Sequence, residues 1–173
     1  HSFPTRRSSD LIFFYFKSKK EKVPYYHQSS TNIFNDLNEK FKSLQVTYAN
    51  APIKSMTVTR ISFWNAGKED IRKGDIAPTA PLTVKVKKEC QILDVKVFNP
   101  KNTPNNIMYK LSKDLSLFHF CFDYLEKNEG VIFQILHTGK SDEDIELIGK
   151  IIGAKEINKL YAEILPTSQL PNV

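Results

Sequence analysis

The sequence predicts an all-β sandwich. Three features predict it: short runs in which apolar and polar residues alternate, three runs apolar on both faces, and turn-forming clusters set between them. Leu44, Val46 and Tyr48 alternate with Gln45 and Thr47. Leu82, Val84 and Val86 alternate with Thr83, Lys85 and Lys87. Leu93, Val95 and Val97 follow the same period, as do Ile107, Tyr109 and Leu111, and then Ile145 and Leu147, which share a face with Gly149 and Ile151. A period of two marks a strand with one wet face and one buried face. Residues 56–64, 115–125 and 131–137 are apolar on both faces and are expected as central strands. In the first, the apolar face switches between Val58 and Ile61 across Arg60, which predicts a bulge. Turn signals stand at Asn50-Ala51-Pro52, Asn65-Ala66-Gly67, Lys73-Gly74-Asp75, Asn99-Pro100 and Asn128-Glu129-Gly130. Asn65 and Gly67 are expected at positive φ. The spacing suits an immunoglobulin-like sandwich of about seven to nine strands.

Two segments break the pattern. Phe34, Leu37 and Phe41 fall at helical spacing, so a short helix or an irregular loop is expected within residues 29–43. Ile157, Leu160, Tyr161, Ile164 and Leu165 form one apolar stripe, which predicts a short C-terminal amphipathic helix ended by Pro166. The chain divides accordingly: a β-sandwich over residues 23–153 and a helix with a tail over 154–173.

The amino terminus stands apart. Residues 1–11, HSFPTRRSSDL, resemble the translation of a common sequencing adapter and are excluded from the fold. Residues 12–22 follow with Ile12-Phe13-Phe14-Tyr15-Phe16 and a cluster holding Lys17, Lys19, Lys20 and Lys22. Five apolar residues do not span a bilayer, which takes about 20. An aromatic apolar end followed by lysines is nevertheless how a transmembrane helix leaves the membrane, with lysine on the cytoplasmic side. The expectation is a single truncated helix, the domain in the cytoplasm, and the four lysines against anionic lipid.

The net charge of +6 is uneven. Residues 1–11 carry +1 and residues 17–22 carry +3, which leaves +2 on the rest. No basic stripe remains for phosphate, so nucleic acid is not an expected partner. Cys90 and Cys121 are the only cysteines, too few for a disulfide framework, although one bridge between them stays open.

Four pieces carry a resemblance: Phe63-Trp64-Asn65-Ala66-Gly67, Gly74-Asp75-Ile76, Pro81-Leu82 and His137-Thr138-Gly139. Over residues 12–153 the chain resembles a widespread group of uncharacterised prokaryotic proteins with an N-terminal membrane helix, a basic stop and this domain. The resemblance implies a membrane-anchored sandwich and no activity.

No catalytic constellation is expected. His119, Cys121 and Asp123 alternate along one strand, so they share a face, but i and i+2 neighbours lie roughly 7 Å apart, beyond direct hydrogen bonding. That spacing matches no metal motif, and no metal or cofactor is expected. Thr138-Gly139-Lys140-Ser141 looks like the end of a phosphate loop, but Gln134 stands where that loop needs glycine. Asp142, Glu143, Asp144 and Glu146 lack the spacing of a calcium loop and are expected in solvent. Trp64, Asn65, Asp75 and His137 are the candidate binding residues, with Trp64 expected buried as a core plug or a spacer between sheets. The function expected is a non-catalytic interaction or scaffold domain whose partner is another protein. The alternatives are a hydrolase or metal enzyme using His119, Cys121 and Asp123 with His137, and an extracytoplasmic ligand-binding domain.

Overall fold

A computed structural model describes residues 20–35, 41, 43–99, 101 and 104–161. Thirteen strands are described: β1 (Pro24–Asn35), β2 (Thr47–Tyr48), β3 (Ala51–Pro52), β4 (Ser55–Asn65), β5 (Ile71–Arg72), β6 (Thr83–Val86), β7 (Ile92–Phe98), β8 (Met108–Leu111), β9 (Leu117–Cys121), β10 (Tyr124–Leu125), β11 (Gly130–His137), β12 (Ile145–Ile148) and β13 (Asn158–Leu160). One sheet has five strands in the order β13-β1-β4-β11-β7, and a second has four in the order β12-β6-β9-β8. Two short ribbons, β2–β3 and β5–β10, complete the sandwich. The chain is all-β, as the alternation predicts. The three runs apolar on both faces supply β4, β9 and β11, which all lie inside their sheets.

The core sits between the sheets. Ile61 and Phe63 of β4, Phe133 and Ile135 of β11 and Ile92 of β7 face Val84 of β6, Phe118 and Phe120 of β9 and Leu147 of β12. Phe133 joins the sheets, with its ring centroid 4.8 Å from Phe120 and 5.1 Å from Phe118. Side chains this large each contribute about 1.5–3 kcal/mol when fully buried.

β4 runs in unbroken register from Thr57 to Trp64 against β11, so the bulge expected near Arg60 is absent. Its inner face is one phase throughout: Ser55, Thr57, Thr59, Ile61 and Phe63 are all buried. The face is hydroxyl-bearing at one end and apolar at the other, which imitates a switch of face. The irregularity lies instead in β1, between Asn32 and Phe34.

Other expectations are corrected too. The described part of the apolar C-terminal stripe is not helix: Asn158–Leu160 is β13, parallel to Tyr25, Tyr26 and His27. β1 reaches Asn35 where a helix or loop was expected, and residues 36–40 and 42 lie outside the described residues. Asn65 and Gly67 do not have positive φ. Positive φ falls elsewhere, among other places at Asn128 and at Ala49 and Asn50, the two central residues of the turn between β2 and β3.

The membrane expectation is corrected as well. Among the described residues no helix is long and apolar enough to cross a membrane. Residues 12–16, Lys17 and Lys19 lie outside the described residues. Lys20 is exposed, but Lys22 is not a free basic stop: its ammonium binds Asp75 at 2.8 Å and Glu69 at 3.4 Å, with its side chain 12% exposed. The transmembrane helix, and the lipid contact and cytoplasmic placement that rested on it, are therefore without support.

Gly67 serves close approach. A β-carbon there would strike the carbonyl oxygen of Glu21 and come within 2.7 Å of the amide nitrogen of Val23. Gly74 has nothing within 4 Å of the same position. Gly67→Ala is expected to lower the denaturation midpoint clearly. Gly74→Ala should leave it unchanged or raise stability by about 0.4–1 kcal/mol through the unfolded chain. Equal effects in urea titrations of the two variants would contradict this account of Gly67.

Candidate functional site

Several buried polar side chains gather at the two ends of β4. At its start, Ser55, Thr57 and Thr59 point inward from alternate positions and meet His137, the last residue of β11. His137 is fully buried. Its Nδ1 accepts the Gly139 amide at 3.1 Å, so its proton resides on Nε2, which donates to Thr59 Oγ1 at 2.7 Å. Thr59 continues to Ser30 of β1 at 2.6 Å. Burial holds the imidazole below its ordinary value of 6.5, while Asp144 pulls the other way.

These side chains carry the loop of residues 138–144. Ser55 donates to the Thr138 carbonyl, and Thr57 donates to the Gly139 carbonyl at 2.6 Å. From β1, Asn32 donates to the Lys140 carbonyl at 3.2 Å and Gln28 to the Asp142 carbonyl at 2.8 Å. The acidic run is a 3-10 turn, Asp142–Asp144. The Asp144 carboxylate accepts the Lys140 amide at 2.7 Å and pairs with Lys87 at 2.9 Å. Thr138-Gly139-Lys140-Ser141 is thus a lid on the end of the sandwich, and the amide of Gly139 is spent on His137.

At the other end of β4, Asn65 is fully buried and uses its whole amide group. Its Oδ1 accepts the Gly67 amide at 2.9 Å and the Val23 amide at 3.4 Å. Its Nδ2 donates to the carbonyls of Glu69 at 2.8 Å and Leu125 at 3.0 Å. One side chain joins the N-terminal segment, the turn after β4 and the segment before β11. Asp75 closes the same end. It accepts from Lys22 and, at 2.7 Å, from the Arg72 amide. Burial raises its pKa, and the bonds from Lys22 and Arg72 overcome that, so the carboxyl lies below its ordinary 3.8.

Trp64 is 6% exposed, yet it belongs to neither the inter-sheet core nor a spacer between sheets. It points opposite to Phe63, stacks on Tyr25 of β1 with centroids 6.0 Å apart, and lies beside Gly130, its cross-strand partner in β11. A β-carbon on Gly130 would strike the Phe63 carbonyl oxygen and come 2.6 Å from the β-carbon of Trp64, so the glycine lets β11 lie close against β4 at this point.

His119 and Cys121 share the outer face of β9, between the buried Phe118, Phe120 and Phe122, but Asp123 lies past the end of that strand, in the bend before β10. His119 is exposed, with Nδ1 2.8 Å from Thr83 Oγ1. His137 is on the other sheet and faces inward, so the four residues of the hydrolase alternative are not brought together. Both cysteines are free, and burial pushes the Cys90 thiol up, away from the nucleophilic thiolate.

Of the four candidate binding residues, Asn65, Asp75 and His137 have their polar groups engaged within the fold, and Trp64 packs a sheet face. Ser55, Thr57 and Thr59 escaped notice, although Ser-x-Thr-x-Thr in phase with Ile61 and Phe63 is a visible signal. Comparison with protein-family models, with curated proteins and with solved structures returns no match.

The Lys22–Asp75 pair has a definite pH signature. The native carboxyl is more acidic than the unfolded one, so the pair stabilises fully above about pH 5, and its contribution is lost as pH falls through the native value. Asp75→Asn is expected to lower stability at pH 7 and to flatten the fall of stability between about pH 5 and 3. Parallel acid limbs in urea titrations of the two proteins would contradict this.

Proposed function

We propose that this domain is a non-catalytic interaction module that takes an extended segment of a partner protein along the outer edge of β1. The contrast between the two edges of the five-stranded sheet supports this. Edge strand β7 is guarded. Tyr109 donates to the Val95 carbonyl at 3.1 Å, Tyr48 to the Leu93 carbonyl at 3.4 Å, and Asp94 accepts the Val95 amide at 2.9 Å. Asp94 and Lys96 add exposed charge. Such devices blunt an edge against further pairing.

Among the described residues, the other edge has no such side-chain guard along residues 28–35, and its one irregularity lies between Asn32 and Phe34. β13 pairs with β1 only at Tyr25, Tyr26 and His27. Among the described residues no strand covers the outer side of residues 28–35, a run with no charged side chain in which Ser29, Thr31, Asn32, Ile33 and Asn35 are exposed. Ile33 is 55% exposed. β13 already sets the direction and register that an incoming strand would continue, and strand addition draws its affinity from the backbone and its specificity from alternate side chains. The engagement of His137, Asn65 and Asp75 within the fold supports the non-catalytic part.

The test pans a random heptapeptide display library against the full-length chain and maps bound peptides by amide hydrogen exchange. Selected peptides are expected to protect amides of residues 28–35 and to lose affinity at least tenfold for Ile33→Lys. Footprints on another strand would overturn the proposal. So would full protection of every amide of residues 28–35 in the isolated, monomeric chain, which would mean that the chain covers this edge itself.

A further inference from the structure

The lid over residues 138–144 is tied at both ends to the segment before β7, where Thr138 exchanges bonds with Gln91 and the Lys87 amide donates to the Asp144 carbonyl. Ser55, Thr57, Asn32 and Gln28 donate to its carbonyls. The lid itself donates through the Thr138 amide to the Gln91 carbonyl and through the Gly139 amide to His137 Nδ1, and only the second of these acceptors titrates. That second bond exists only while Nδ1 is unprotonated. The lid also packs on the ring, since a β-carbon on Gly139 would lie 2.7 Å from Nδ1.

We propose that His137 is an acid-sensitive latch: protonation of its Nδ1 releases the lid of residues 138–144 from the end of the sandwich. A proton on Nδ1 sets two N–H groups against each other across 3.1 Å and places a charge on a side chain with no exposure. The neighbours offer little relief. β4 and β1 present Thr57, Thr59, Ser30 and Asn32, which are neutral. The charged groups of the other elements packed here are Asp94 on β7, Lys87 beyond β6, and Lys140, Asp142, Glu143 and Asp144 on the lid. Asp144 is the one that acts on the ring, and its carboxylate is already committed to Lys87 and to the amides of Lys140 and Ser141. With the lid open, the ring meets water and regains an ordinary affinity for protons.

The sign follows. Burial lowers the closed-state pKa, so above about pH 6.5 both states are neutral and the latch is fully closed. As pH falls below that value the open state takes up a proton first. The open population then rises by up to about tenfold per pH unit until the closed-state value is reached.

The test measures amide protection factors in the full-length chain between pH 7.5 and 5. Gly139, Lys140 and Ser141 are compared with Ile61 and Phe133 of the core. Protection of the lid amides is expected to fall with pH by up to about tenfold per unit while that of the core stays nearly constant. The fall should vanish in His137→Gln and persist in His27→Gln, which removes the other histidine whose pKa burial lowers. Lid protection that falls no faster than core protection in the unaltered protein would overturn the latch, and that comparison stands whether or not His137→Gln folds. A fall of the same size in a folded His137→Gln would overturn it as well.

Discussion

Each backbone amide and carbonyl of β4 has to find its partner in β1 or β11, because the strand lies between them and its inner face is closed off by the second sheet. The consequence is an unbroken register, Trp64 opposite Gly130 at one end and Thr57 opposite His137 at the other. That register puts five alternate side chains on one line between the sheets. Ile61 and Phe63 meet the aromatic cluster around Phe133. Ser55, Thr57 and Thr59 arrive at the rim, where buried hydroxyls must be bonded. Carbonyls of the lid accept from Ser55 and Thr57, and Thr59 bonds with His137 and Ser30.

The far end of β4 is organised by the same need. Asn65 stands where the sheet stops and three chain segments converge without a ladder of their own. One carboxamide supplies two donors and one acceptor oxygen to them, and Gly67 and Gly130 leave space for the close approach of neighbouring backbone. Lys22 and Asp75 add an ion pair to that end. His137, Asn65 and Asp75 are thereby consumed in closing the two ends of the sandwich. The interaction reading accordingly turns to the backbone of an edge strand.

Most of the β architecture was legible in the sequence because period-two alternation reports directly on a two-faced strand. β6, β7, β8 and β12 stand where the pattern sets them. The misreadings have definite causes. Threonine is polar by type but fits a strand well, so the buried Thr57 and Thr59 read as a solvent face and Met56 and Val58 as the core face. The inferred bulge at Arg60 came from that. The stripe from Ile157 onward satisfies helical spacing, but Asn158–Leu160 gains more by pairing with the edge of β1. Lys22 read as one of a charge cluster because its partner, Asp75, is 53 residues away. His137 was named as a candidate, but its role depends on Gly139 and Thr59, which only the register brings to it.

The hydroxyls of Ser55 and Thr57 on β4 hold the lid. Thr57→Val tests this most directly, since valine keeps the shape and the strand preference of threonine and removes the hydroxyl that donates to the Gly139 carbonyl and accepts from the Asn32 side chain. Leaving the buried carbonyl without its partner should lower the free energy of unfolding in urea by about 1–3 kcal/mol. A variant as stable as the parent would show that the hydroxyl is not needed there, and would contradict the account of β4 as the strand that closes the sandwich.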